Sequence, residues 1–106
     1  MEVRWNFGTR WGALLICKAI QQTNIKTWKI IQAAEKTLTI TDEDVKRLKI
    51  KHDKRMIWDT AAGEQKESFN IDEQFMKFLR EQIKILDQKN MIPSDLLPLA
   101  EELKAD

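Results

Sequence analysis

The chain has 106 residues, of which 42% are hydrophobic and 33% charged, with a net charge of +1 at neutral pH. That length fits one domain over residues 1–106, burying roughly 60–70% of its unfolded surface, and the composition excludes a disordered or membrane-embedded chain. The longest apolar run, residues 11–17, falls far short of the ~20 residues that span a bilayer.

The opening MEVRWNFGTRW lacks a basic-then-apolar signal pattern. Cys17 is the only cysteine, so no internal disulfide can form, and a soluble cytoplasmic protein is expected. Val3, Trp5 and Phe7 alternate with Glu2, Arg4 and Asn6, a two-residue period that predicts a short half-buried strand stopped by Gly8. Over residues 9–22 the pattern turns helical, with Trp11, Leu14, Leu15 and Ala19 on one side. Asn24 reads as the N-cap of a second helix, Ile25–Leu38, whose apolar face is Trp28, Ile31, Ala34 and Leu38. Thr41 caps a third, short helix, and Asp42, Glu43 and Asp44 crowd its positive end. Asp44, three residues after Thr41, makes a shortened capping box, and Val45 and Leu48 are the expected core residues.

KIKHDKRMIW then predicts a hairpin of residues 49–52 and 55–58, turning at Asp53 and Lys54, to which ESFNI could add a third strand. Asn70 and Glu73 have the spacing of a helix cap. The helix over residues 72–88 is the clearest element, with Phe75, Phe78, Leu79, Gln82, Ile83 and Leu86 at helical spacing. A closing helix follows Pro93 or starts at Pro98. The expected class is α+β: a short N-terminal strand, three helices, a basic hairpin with a further strand, and two C-terminal helices.

WDTAAGEQ, residues 58–65, is close to the W-D-T-A-G-Q-E switch of small GTPases. That chemistry needs a glycine-rich loop that wraps the phosphates and ends in Lys and Ser or Thr. The chain has only Gly8, Gly12 and Gly63, GTRWGALL has no lysine at the required place, and Ala62 is an insertion in the motif. No nucleotide is therefore expected; Trp58 is expected to end a strand and residues 59–66 to form a solvated connection.

Taken together, TWKIIQAAEKTLTITDEDVKRLKI, MIWD and KESFNIDEQFMKFLREQIKILDQKNMIPSDLL resemble a family of small uncharacterised proteins encoded by phages and prophages. Its members place a similar helix pair before a short hairpin ending in tryptophan, then a long helix and a closing one. The resemblance covers roughly residues 25–103 and implies the fold, with no active-site residue to carry over. Pro93 departs from the pattern, standing where relatives tend to have a capping threonine.

The residues themselves offer little chemistry. His52 is the only histidine, so a metal site would need carboxylates, and a lone hairpin histidine is more often a surface residue. Cys17 lies in an apolar helical run with no base offered to it. Most paired carboxylates fall at helix starts, where the helix dipole explains them. Of the four tryptophans, Trp5, Trp11 and Trp28 are expected to face the core. The expectation is a protein with no catalytic residue, metal or cofactor.

Charge is more informative. Residues 45–57 hold Lys46, Arg47, Lys49, Lys51, Lys54 and Arg55 against Asp53 alone, whereas from residue 59 to the end 11 acids face 6 bases. On one reading, three helices and a basic hairpin form a winged-helix DNA binder, its affinity coming from phosphate contacts by residues 46–55. Against it, the recognition helix would open on carboxylates. On the preferred reading the protein is an interaction or self-association module, with Phe75, Phe78 and Ile83 of the long helix as its contact face.

Overall fold

The computed structural model describes residues 1–52 and 56–104. Its elements run β1 (Glu2–Trp5), α1 (Phe7–Ala19), α2 (Ile25–Leu38), α3 (Asp42–Leu48), β2 (Lys51–His52), β3 (Met56–Ile57), α4 (Thr60–Gly63), β4 (Glu67–Asn70), α5 (Glu73–Gln88), a 3-10 turn (Ser94–Leu96) and α6 (Leu97–Lys104). This is the expected α+β arrangement, with three helices between the N-terminal strand and the hairpin, and two closing helices.

The first strand ends sooner than its alternation suggests. The Asn6 side chain accepts the Thr9 N–H at 2.9 Å and so caps α1, which makes Phe7 and Gly8 the first residues of a helix instead of the end of a strand. Ten residues of α1 are buried, among them Phe7, Trp11, Leu14 and Ile16. A helix apolar on nearly every side must lie inside, and α1 is the axis of the core. Gly8 and Gly12, one turn apart, leave room for α6: a Cβ on Gly12 would lie 3.0 Å from Leu99 Cβ, and one on Gly8 3.3 Å from Pro98 Cγ.

β1 pairs antiparallel with β4, setting Val3 opposite Phe69 and Trp5 opposite Glu67. ESFN is thus a strand, but it joins the N-terminal strand and not the hairpin. The reason is a matched period: Trp5 is buried and Val3, Glu67 and Phe69 are half-buried, while in the hairpin Lys51 and Ile57 are exposed and only Met56 is half-buried among the described side chains. β2 and β3 form a separate antiparallel pair, with Lys51 opposite Ile57 and His52 opposite Met56. The expected turn at Asp53 and Lys54, and Arg55 with it, lies outside the described residues.

The caps of α2 and α3 match expectation. Asn24 accepts the Thr27 N–H at 2.8 Å, and Thr41 and Asp44 complete a reciprocal capping box. Leu48 is fully buried, but Val45, expected in the core, is 41% exposed. The inward face of this short helix is set by Asp44 and Leu48, four residues apart, which leaves Val45 on its flank. Lys49 ends α3 in the left-handed region at φ 52°, and Ile50 N–H closes onto the Val45 carbonyl at 3.0 Å. Asn90 repeats the closure after α5 at φ 54°, with the Met91 N–H on the Leu86 carbonyl at 2.8 Å.

Asp72, not Asn70, caps α5, accepting the Gln74 N–H at 2.7 Å; Asn70 is held in β4 opposite Glu2. Both prolines contribute to the closing helix. Pro93 is extended and leads into the 3-10 turn, and Pro98 lies in the first turn of α6, where a missing N–H costs no helical bond. Ile31, Leu38, Leu48, Ile71, Phe75, Leu79 and Leu99 are the largest fully buried side chains. No described helix is long and apolar enough to cross a membrane.

Candidate functional site

Three places could carry a function: the buried charge network at Arg10, the basic surface around the hairpin, and the surface between the last two helices. Arg10, inside the most apolar helix, has a side chain only 5% exposed. Its Nε donates to the Leu38 carbonyl at 2.9 Å, and Nη2 donates to the Thr39 carbonyl and, at 2.9 Å, to Asp44 Oδ2. The guanidinium also lies 5.2 Å from the Phe69 ring centre. Arg47 bonds the other Asp44 oxygen at 3.2 Å and reaches Glu67. For Asp44, burial by itself raises the pKa. The Thr41 backbone N–H and the Arg10 guanidinium outweigh that and hold the carboxyl well below the usual range. The network ties α1, the end of α2, α3 and β4 together, and the space around it is filled. Its role is structural.

This network also takes one cation out of the basic surface, since Arg47 is engaged by Asp44 and Glu67. Lys46, Lys49 and Lys51 are exposed and make no ion pair among the described residues; Lys54 and Arg55 lie outside them. Asp42 and Glu43 stand exposed on the same short helix. The hairpin of a winged helix extends a sheet begun earlier in the chain; here, among the described residues, it pairs only with itself.

The WDTAAGEQ stretch is a structural element and not the solvated connection its composition suggests. Asp59 accepts the Ala62 N–H at 3.0 Å and caps α4. Gly63 is buried, and Trp58 lies over it while meeting the Phe7 ring edge-on, centroids 4.8 Å apart. Trp5 and Trp11 are buried and Trp28 and Trp58 half-buried, so no tryptophan is exposed. Cys17 is buried, and desolvation, with a smaller push from the Glu35 charge, drives its thiol up to about 12, far from nucleophilic at neutral pH. No group of three or more potential metal ligands occurs among the described residues.

The remaining surface is the most distinctive. α5 and α6 both rest on α1 and leave between them an open groove of about 550 Å³. Ile83, Ile92, Leu97, Ala100 and Leu103 give it an apolar lining; Arg80, Lys84 and Asp87 stand along α5, and Glu101 along α6. Leu97 is 50% exposed, and nearby in the chain Met91 is 62% exposed. Of the three residues expected as a contact face, Phe75 is fully buried and stacks on Phe78 at 6.0 Å, so it belongs to the core. Phe78 is half-buried, and Ile83 lines the groove. The groove was legible only in part, because its second wall, Leu97 and Glu101, comes from a helix whose start the sequence leaves ambiguous. Comparison with protein-family models, with curated proteins and with solved structures finds no match to this chain.

Proposed function

We propose that this is a small cytoplasmic protein of phage type that acts by binding another protein chain, without catalysis of its own, and that the groove between α5 and α6 is its contact surface. The observation that supports this reading is the groove itself. An open apolar lining with charged walls, and a leucine left half in water at residue 97, is the form of a site completed by a partner.

The DNA-binding reading retains one favourable observation, the exposed Lys46, Lys49 and Lys51. Against it stand the exposed Asp42 and Glu43, the internal pairing of Arg47, and the absence of a strand joining the hairpin among the described residues. A titration with mixed-sequence duplex DNA, followed by tryptophan fluorescence at low and moderate salt, decides between them. The interaction reading expects no change at either salt concentration. Binding that weakens with a log–log slope of about −3 or steeper would mean three or more neutralised phosphates and would replace it with a DNA-binding protein.

A further inference from the structure

We propose that the occupant of the groove is a second copy of this chain, docked about a two-fold axis so that the α5 wall of each copy lies against the α6 wall of the other. The inference rests on the groove being a binding site and adds the identity of what binds.

Charge carries it. The α5 wall presents Lys84 beside Arg80, with Asp87 further along, while the α6 wall presents Glu101. Neither Lys84 nor Glu101 has an ion-pair partner among the described residues. A partner helix of uniform charge would meet like charge on one wall. A second copy, turned by two-fold symmetry, brings Lys84 of each chain to Glu101 of the other and so makes the pair twice. The same docking covers Leu97 on both copies, removing from water the most exposed apolar side chain of the lining.

Sedimentation equilibrium of the full chain over a range of micromolar concentrations tests this. The wild type is expected at twice its monomer mass, and Lys84→Glu and Glu101→Lys should each weaken association about tenfold or more, since each sets like charges opposite one another twice. An equimolar mixture of the two variants should associate again, because their altered walls are then opposite in sign. A wild type that stays monomeric, or a mixture no better associated than either variant alone, overturns the proposal. Fluorescence of the apolar dye ANS separates this failure from failure of the groove itself. A monomeric wild type that binds ANS, with the signal lost in Leu97→Glu, keeps the groove as a site for a different protein. A monomer with no such difference removes both readings.

Discussion

Replacing Arg10 with leucine is expected to cost about 3–5 kcal/mol, the range for removing one member of a buried, hydrogen-bonded charge pair. The loss does not come from apolar packing, since leucine would suit a site lined by Phe7 and Phe69. It comes from the partners left behind: Asp44, whose side chain is 14% exposed, would keep its charge without its main counterion, and the Leu38 and Thr39 carbonyls would lose their donor. Set against a total stability of about 5–15 kcal/mol, such a loss brings the domain close to unfolding. Arg10→Lys should recover little, because a single ammonium cannot reproduce a fork that serves two carbonyls and a carboxylate. Urea unfolding monitored by circular dichroism measures both variants.

The same network sets an acid dependence with a definite sign. Asp44 has a folded-state pKa below its ordinary value of 3.8. Its contribution is therefore complete above that value and is lost as pH falls from there toward the folded-state pKa. Asp44→Asn should be less stable than wild type at neutral pH, and the gap should narrow below about pH 4.

The second large effect is expected at Gly63, where Gly63→Ala should destabilise the domain by about 1–3 kcal/mol, the usual cost of overpacking. Its backbone has no positive φ, so the helix tolerates alanine, and space alone decides the outcome. A Cβ there would fall 2.5 Å from both Cδ1 and Nε1 of Trp58, which must therefore move. The indole is a rigid ring already fixed against the edge of Phe7, so it cannot yield as a flexible chain end would. Thermal unfolding gives the size of the effect, and loss of the near-ultraviolet signal of Trp58 gives its cause. Unchanged stability and spectrum would mean that the ring moves aside freely.

What could be read from the sequence followed local chemistry. Asn24, and Thr41 with Asp44, place two helix starts through side chain–backbone bonds closed within three residues, and the apolar spacing of α5 is a one-helix property. What could not be read was decided at long range. Asn6 could end a strand or cap a helix, and only the burial of α1 on nearly every side makes the second the winner. ESFN has no local reason to prefer β1, more than sixty residues earlier, over the adjacent hairpin. Arg10 had a local sign that was easy to pass over, a cation with apolar residues at Phe7, Trp11 and Leu14 and so without an exposed face. Its partners, 28 and 34 residues away, had none. The groove depended in the same way on two helices that meet only in the folded chain.

On the proposed reading, the working surface lies between α5 and α6 and not on the basic hairpin side. Because Cys17 is buried and is the only cysteine, a thiol-directed photo-crosslinker can be placed in the groove lining at Asp87→Cys in one sample and at Lys49→Cys in another. On illumination in cell extract, position 87 should give discrete higher-mass adducts and position 49 should give none. Discrete adducts from position 49 alone, or identical patterns from both, would mean that the groove is not the contact surface.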